Sequence, residues 1–346
     1  MSAIGPIDRL GWAAGQLARV AWFAGHYAAG RRVLKPLPKP DFAVGPVPDQ
    51  RAFLADLRAL FEIEWTDIAA GRVPAPRREL PDLRAALTAS LRYFRDLPAV
   101  DARRHAREAA VLPSDNAHGG LPRYYRQNFH FQSDGWLSDE SARLYDTQVE
   151  VLFTGAARTM RRRALRPIAD WMAGRDQRAV RALDIGCGTG RLMRELRDAL
   201  PGLRLLGLDP SEPYLAEARR HVGATARVKF MGGLAEALPF GDASLDLVVS
   251  SFLLHELPPD IRGRALAEMR RVVRSDGLVV IVDSIQRADR PDWAGLLDLF
   301  PHHFHEPYYA SYVAGRLAGD AEGIGLRSVW SERAFLSAVH AFHPDS

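Results

Sequence analysis

Three glycines alternate with other residues directly after a short apolar segment that ends in an acid, in the sequence Leu183-Asp184-Ile185-Gly186-Cys187-Gly188-Thr189-Gly190. The apolar residues predict a buried strand, and the run that follows, Arg191 to Leu200, predicts a helix. Glycines at this spacing let a backbone turn sharply at a strand's end and approach a ligand that a Cβ would exclude. The start of the helix adds free N–H groups and a positive dipole end. The segment therefore predicts a nucleotide-cofactor loop.

The spacing of these glycines narrows the class of cofactor. A dinucleotide fingerprint places its third glycine where this chain has Arg191, and a pyrophosphate needs that tight cradle. Asp209 lies at the carboxyl end of a second predicted strand, Leu205–Leu208. A carboxylate there can accept hydrogen bonds from both ribose hydroxyls, whether the cofactor is a dinucleotide or a nucleoside without a pyrophosphate. Together these features favour a nucleoside cofactor without a pyrophosphate.

The hydrophobic pattern changes along the chain. From Val180 onward, short apolar runs alternate with helical segments, which is typical of a parallel sheet with right-handed crossovers. Near the end, Leu326–Ser331 and Ala334–Phe342 read as two strands of a hairpin. We therefore expect an α/β fold whose mostly parallel sheet closes with one antiparallel strand. The other predicted strands are Val180–Leu183, Leu203–Leu208, Val228–Met231, Leu245–Ser250 and Leu278–Val282.

The chain divides into three predicted parts. Residues 1–110 are mainly helical and form an accessory region, which faces a membrane or a partner in one interpretation. Residues 111–175 form a helical lid or connector before the first strand. Residues 176–346 form the cofactor-binding domain, with a substrate-specific insertion at about 285–315.

Two interpretations of residues 10–32 remain open. Aromatic and apolar side chains alternate there with small residues and end at Arg31 and Arg32. The segment is either a helix packed on its own protein or an interfacial helix that touches an anionic membrane. Its polar residues and glycines argue against a transmembrane span, and no secretory signal pattern is present.

Composition limits the protein's class and surroundings. With 47% hydrophobic and 25% charged residues, the chain resembles soluble globular proteins. Its one cysteine, Cys187, fits a reducing, cytoplasmic setting. The net charge of +4 comes from scattered arginines rather than clusters interleaved with aromatic residues, so there is no strong nucleic-acid signal.

These motifs resemble the class I S-adenosylmethionine-dependent methyltransferases, particularly the ubiquinone/menaquinone C-methyltransferase-like branch. The resemblance covers about residues 142–342 and includes Leu208–Ser211, Ala235–Phe240, Leu245–Ser251 and Arg271–Leu278. It implies a Rossmann-like seven-stranded sheet, S-adenosyl-L-methionine as cofactor and S-adenosyl-L-homocysteine as product. The implied cofactor-binding residues are Asp184, Gly186, Cys187, Gly188, Gly190, Asp209, Pro210, Ser211, Gly233, Leu234, Ala235 and Ser251.

One departure from the family pattern concerns the adenine side of the site. The family commonly has Gly-Asp where this chain has Gly233-Leu234. The adenine must then be held by backbone groups and apolar packing, and one lost hydrogen bond costs about 0.5–1.5 kcal/mol.

Methyl transfer by in-line displacement needs alignment, exclusion of water and, for some acceptors, a base. His255, after the fourth strand, is the first candidate, and His130 in the predicted lid is the second. His303 and His305 lie in a third group, in the block Pro301–Tyr309. Three histidines and a glutamate in that block invite a metal interpretation, but no distant cluster offers further ligands, so we expect no metal.

The predicted acceptor is a small, largely apolar molecule, such as a lipid, an isoprenoid quinone-like or a polyketide-like compound. RNA or protein methylation through the basic N-terminal region, and a cofactor-binding scaffold without turnover, remain alternatives. Residues 121–147 are either part of a lid and substrate wall or an ordinary packing layer. The predicted substrate-binding residues are Tyr124, Tyr125, Phe129, Tyr145, His302, Tyr308 and Tyr309.

Overall fold

The computed structural model describes residues 6–76, 83–109, 112, 120–223 and 225–345. The predicted boundary at 110/111 lies outside them. So do the first two residues of Pro81–Leu97, a segment whose apolar residues recur at helical spacing and predict a helix. The helices are α1 (Pro6–Val33), α2 (Gln50–Ala69), α3 (Leu83–Ala106), α4 (Asp139–Leu152), α5 (Ala157–Arg162), α6 (Leu165–Met172), α7 (Arg191–Ala199), α8 (Glu212–Val222), α9 (Pro259–Val272), α10 (Ala294–His303), α11 (Tyr309–Val313) and α12 (Leu317–Glu322). The strands are β1 (Arg181–Ile185), β2 (Arg204–Leu208), β3 (Val228–Met231), β4 (Leu245–Ser251), β5 (Val273–Ser284), β6 (Leu326–Ala334) and β7 (Ser337–Pro344).

The strands form one seven-stranded sheet in the order β3-β2-β1-β4-β5-β7-β6. Strands β1 to β5 pair in parallel, and β7 pairs antiparallel with both β5 and β6. The predicted sheet with its antiparallel hairpin strand is therefore confirmed. The strand order reverses between β1 and β4, and ligands of open α/β sheets bind at such a switch point, beside the carboxyl ends of the strands.

The N-terminal helices pack on the sheet's own hydrophobic core. Helix α1 is continuous despite its glycines, and its Trp12 ring lies 5.3 Å from the ring of Trp65 on α2. Leu57, Leu60 and Ile68 of α2 are buried in the same cluster as residues of β1, β4 and β5. One side of α1 therefore packs on the protein, as one of the two interpretations of residues 10–32 has it, while Leu10 and Leu17 are 71% and 70% exposed.

Buried charges also connect α2 to the helices beside the sheet. Glu64 is 1% exposed, and its carboxylate accepts from Arg162 Nε at 2.5 Å and from Thr159 Oγ1 at 3.1 Å. Arg162 also donates to Glu195 on α7. Both carboxylates are paired with the Arg162 guanidinium. The pairing offsets the cost of burying these charges, so removal of one partner leaves the other charge buried and uncompensated.

We expect Glu64→Ala to lower the free energy of unfolding by about 3–5 kcal/mol, because it leaves the Arg162 guanidinium buried without one of its carboxylates. Urea denaturation followed by circular dichroism measures this. Glu62→Ala on the same helix is the control, because its ion pair with Arg9 is half exposed and contributes at most about 1 kcal/mol. Equal losses in the two variants would contradict a stabilising role of the buried network.

None of the helices in the described part of the chain combines the length and the apolarity needed to cross a bilayer.

Candidate active site

The glycine loop lies at the carboxyl end of β1. Gly186, Gly188 and Gly190 have φ of +66°, +51° and +77°, which is the left-handed region that side chains rarely adopt. A Cβ on Gly186 would also lie 3.0 Å from Leu253 Cδ1. The loop is pinned to β2 because Gly186 N donates to Leu208 O at 2.8 Å. The chain can therefore turn here only with glycine, as the spacing predicts.

Two carboxylates lie beneath this loop. Asp209 accepts from Gly188 N at 3.0 Å and from Ser211 N at 2.9 Å. Burial raises the pKa of Asp209 to about 6, although these two N–H groups act to lower it. Asp184 is fully buried, and neither of its oxygens has a hydrogen-bond partner among the residues that the structure describes. Burial, and then the neighbouring Asp209, raise the pKa of Asp184 well above its ordinary value. A buried acid without a partner suits a cationic group of a ligand.

A cleft extends from the loop along the carboxyl ends of the strands. Aromatic side chains from residues 124–145 cover the cleft, and we call this segment the roof. Because the roof fills most of the space, the free volume of the cleft is only about 80 Å³. Tyr125 OH lies 3.4 Å from Asp209 Oδ1, and Tyr124 OH donates to Glu236 Oε1 at 2.5 Å. The roof thus closes over the Asp209 carboxylate and leaves little free space in the cleft. Residues lining the cleft include Tyr124, Tyr125, Trp136, Tyr145, Gly186, Gly188, Asp209, Pro210, Gly233, Leu234, Ala235, Ser251, Phe252, Leu253 and Glu256.

The roof is anchored at two points. Ser211 Oγ, at the start of α8, donates to Trp136 O at 2.5 Å, and the Trp136 ring stacks on Phe129 at 4.0 Å. Asp146 of α4 accepts from Thr189 Oγ1 and from Arg191 Nε, both at 2.7 Å. The second anchor ties the helix behind the roof directly to the glycine loop.

A second cavity, of about 760 Å³, lies between the N-terminal helices and the sheet. It is predominantly apolar, and Phe252 lines both this cavity and the cleft. Phe252 has φ of +56°, and such strain in a residue other than glycine is common at functional sites. Side chains on the cavity wall include Tyr27, Leu34, Phe53, Tyr93, Leu97, Val100, His130, Val149, Leu152, Phe153, Phe252, His255, Leu296, Leu299, Phe300, His303, Phe304 and Tyr309. We call it the apolar cavity.

His255 and Asp283 form a pair at the inner end of the apolar cavity. His255 Nδ1 lies 2.5 Å from Asp283 Oδ1, and Asp283 Oδ2 accepts from Leu254 N at 2.8 Å. Burial opposes protonation of the imidazole, but the Asp283 carboxylate outweighs it and raises the pKa of His255 above its ordinary value. Asp283 thus orients the ring, and Nε2 is the nitrogen left to accept a proton.

A second cluster lies beside this pair. His130 Nε2 is 3.0 Å from Glu306 Oε1 and 3.7 Å from Glu256 Oε1. His130 adopts φ of +55°, so a strained backbone aims its ring inward. Burial, and then Glu256, raise the pKa of Glu306 well above its ordinary value.

Only some of the predicted catalytic and cofactor-binding residues line the cleft or the apolar cavity. His255, His130 and His303 line the apolar cavity, whereas His305 does not; its Nε2 lies 3.3 Å from Gln127 Oε1. Four predicted cofactor-binding residues lie next to the cleft without lining it, namely Asp184, Cys187, Gly190 and Ser211. Burial raises the pKa of the Cys187 thiol well above its ordinary value.

The predicted substrate-binding residues are divided between the cleft, the apolar cavity and positions outside both. Tyr124, Tyr125 and Tyr145 line the cleft, and Tyr309 lines the apolar cavity. Phe129 is buried under Trp136. His302 lies away from both chambers and contacts Pro38 O at 3.0 Å, and Tyr308 lines neither chamber.

Sequence reasoning missed several residues of the site. Asp283 is the penultimate residue of β5, at the same edge of the sheet as Asp184 and Asp209, a position that could have marked it. Glu256 follows His255 directly, and Trp136 lies within the aromatic segment. The wall formed by α1, α3 and α4 left no sequence signal, because their inward residues look like ordinary core positions.

The sheet order and the glycine loop define a class I methyltransferase fold, and the comparison with protein families agrees. The family model described as "Methyltransferase domain" matches residues 182–277. This part of the chain is therefore a methyltransferase domain, and the resemblance drawn from its motifs is confirmed.

The chain is also similar in sequence to curated proteins that are named as methyltransferases. The chain is 35% identical over 158 residues to a demethylmenaquinone methyltransferase of Beutenbergia cavernae, covering 46% of this chain and 59% of that protein. It is 36% identical over 122 residues to a ubiquinone/menaquinone biosynthesis C-methyltransferase of Paracoccus denitrificans, covering 34% and 46%. A demethylmenaquinone methyltransferase of Thermus thermophilus is 33% identical over 148 residues, covering 42% and 64%. The chain thus spans about half to two thirds of these relatives.

Among solved structures, a TehB-like SAM-dependent methyltransferase from Corynebacterium glutamicum aligns with a TM-score of 0.41 at 19% identity, covering 60% of this chain and all of that one. A likeness at this level supports no inference of its own.

Proposed function

We propose that this protein transfers a methyl group from S-adenosyl-L-methionine to a small, largely apolar acceptor bound in the apolar cavity. The observation that carries the proposal is the apolar cavity itself, which meets the cofactor cleft at Phe252. A polymer such as RNA needs an open basic surface, whereas this cavity is lined mainly by aliphatic and aromatic side chains.

The residues of the cleft fit this cofactor. The bare backbone of Gly186 and Gly188 would admit its amino-acid tail, and the unpartnered Asp184 carboxyl would compensate its ammonium group. Asp209 would hold the ribose hydroxyls, and Gly233–Ala235 would contact the adenine. When bound, the cofactor supplies an electrophilic methyl on a sulfonium, whose bonding electron pair stays on sulfur and leaves S-adenosyl-L-homocysteine.

The protein's own residues would align and deprotonate the acceptor. The walls of the apolar cavity exclude water and hold the acceptor atom in line with the methyl. His255 Nε2 would take the proton that the acceptor loses as its new bond to carbon forms, and Asp283 would stabilise the imidazolium. A proton from a hydroxyl or an acidic carbon is equally suited to this base.

Incubation with methyl-labelled S-adenosyl-L-methionine and fractionated cell extract tests the proposal. We expect label in the organic-solvent fraction. Label confined to RNA or protein would overturn it, and binding of S-adenosyl-L-homocysteine without labelling of any fraction would favour a scaffold. Membrane contact through the exposed side of α1 stays a prediction of the sequence.

A cavity-filling substitution tests where the acceptor binds. Leu152→Trp places a larger side chain in the apolar cavity, so we expect label in the organic fraction to fall at least about 10-fold. Binding of S-adenosyl-L-homocysteine, measured by calorimetry, should stay within about twofold, because Leu152 does not line the cleft. Leu91→Trp is the control, since Leu91 is 73% exposed. Unchanged labelling in Leu152→Trp would place the acceptor elsewhere.

A further inference from the structure

The cluster of His130, Glu256 and Glu306 brings together residues from three distant parts of the chain. His130 belongs to the roof segment, Glu256 follows β4, and Glu306 follows α10. One ligand atom from each lies within 4.8 Å of the other two. The three side chains converge on one point in the interior.

The charges of this cluster are not balanced by the protein. Glu256 and Glu306 are 5% and 4% exposed. Within the described ranges, each carboxylate has histidine as its ion-pair partner and neither pairs with a lysine or arginine. Two buried carboxylates side by side are costly unless a cation or a shared proton compensates them.

The oxygen atoms are also short of partners. In the part of the chain that the structure describes, neither oxygen of Glu306 nor Oε2 of Glu256 has a well-aligned hydrogen bond, although His130 Nε2 lies 3.0 Å from Glu306 Oε1. The Glu306 side chain is fully buried and is directed at His130 and Glu256. Buried polar atoms without partners are rare in folded proteins, and a cation bound between these oxygens would satisfy them.

We propose that His130, Glu256 and Glu306 bind one divalent transition-metal cation, such as Zn²⁺ or Mn²⁺. One imidazole nitrogen and two carboxylate oxygens are ligand types that such ions accept. Ligands at bond lengths of about 2.0–2.2 Å lie about 3.0–3.5 Å from each other. The separations of 3.0 and 3.7 Å from His130 Nε2 are close to this range.

The position of the cluster suggests what the ion does. Glu256 lines the cofactor cleft, and His130 lines the apolar cavity. Three protein ligands leave coordination positions free, and an oxygen of the acceptor can take one of them. A metal-bound hydroxyl loses its proton more readily, and His255 Nε2, 3.7 Å from Glu256 Oε1, would receive it. This role rests on the proposed function, whereas ion binding rests on the cluster alone.

The test uses the full, untagged chain after removal of metals, without cofactor or acceptor. Calorimetric titration with Zn²⁺ and with Mn²⁺ should show one site per chain for at least one ion. The same ion should raise the melting temperature of the wild-type protein. Glu306→Gln, which keeps the side chain's shape, should weaken binding at least about 10-fold and abolish that rise in melting temperature.

Glu322→Gln, on the exposed surface of α12, is the matched control and should bind the ion as the wild type does. Without metal, Glu306→Gln should melt at or above the wild-type temperature, because it removes one of two adjacent buried acids. This outcome separates loss of a ligand from misfolding. His130→Gln should likewise weaken ion binding.

Two results would overturn the proposal. If neither ion binds to the wild-type protein, the two carboxyls share a proton instead. If binding persists in Glu306→Gln, the ion occupies other histidines. Binding of S-adenosyl-L-homocysteine, measured in the same preparations, tests the cofactor cleft separately, so failure of the metal site and failure of the proposed function remain distinguishable.

Discussion

Asp209→Ala should weaken the binding of S-adenosyl-L-homocysteine at least about 100-fold. Hydrogen bonds to a charged group contribute about 1.5–3 kcal/mol each, and the Asp209 carboxylate would accept two from the ribose. The same carboxylate holds Gly188 N and Ser211 N, so its loss also loosens the loop that must stay open for the ligand. Isothermal titration calorimetry measures the change.

Asp260→Ala is the control for that measurement, because the Asp260 side chain is 75% exposed and lies in the first turn of α9. Asp260→Ala should bind S-adenosyl-L-homocysteine with the affinity of the wild-type protein. Circular dichroism and thermal melting establish that both variants are folded. If folded Asp209→Ala kept its affinity within about threefold, the cleft beneath the glycine loop would not be the cofactor site.

His255→Gln should lower kcat about 10²–10⁴-fold, which is the usual contribution of a positioned base, and should leave the binding of S-adenosyl-L-homocysteine within about twofold. Glutamine keeps a polar side chain of similar reach but cannot accept the proton. Initial rates of label transfer into the organic fraction measure the effect. His343→Gln is the control and should keep the wild-type rate, because His343 lies on β7 beside Gly277 O, at the edge of the sheet opposite the cleft.

The pH dependence of kcat gives an independent readout. The base acts in its neutral form, so kcat should rise with pH through the pKa of His255, which Asp283 raises above the ordinary value of 6.5. Asp283→Asn removes the charge that favours protonation, so the acid limb of the profile should move to lower pH. An acid limb that survives in His255→Gln, or a kcat within about threefold of the wild type, would assign the proton transfer to another group.

The fold was largely predictable because local patterns coincide with it. The apolar run before Asp184 forms most of β1, the glycines turn where their spacing requires, and the two predicted C-terminal strands form a hairpin. The turn of this hairpin lies between Ala334 and Ser337, three residues later than predicted, so Ala334 ends β6 and does not begin the second strand. Strand boundaries were less accurate: β5 begins at Val273 rather than Leu278, because Val273 pairs with Leu245 before the main register starts. Pairing partners, which a single segment does not reveal, set that boundary.

The cleft beside the glycine loop was predictable for the same reason, since Gly186, Gly188 and Asp209 lie at adjacent strand ends whose meeting follows from parallel topology. The second chamber was not predictable. Its wall includes Tyr27 of α1, Leu97 of α3 and Leu152 of α4. In the sequence, these side chains look like core positions, and an inward-facing apolar residue beside an empty space has the same periodicity as one that is packed.

The sequence by itself determined the class of sheet, the sharp turn after β1 and the acid that directly follows β2, because each depends on residues close together in the chain. Only the tertiary structure decided which polar groups meet. It set Asp283 against His255 and placed His130 beside Glu256 and Glu306. These contacts depend on how the roof, the end of β4 and the end of α10 pack together. Burial then shifts the pKa values of the groups that meet, and no local sequence pattern encodes that shift.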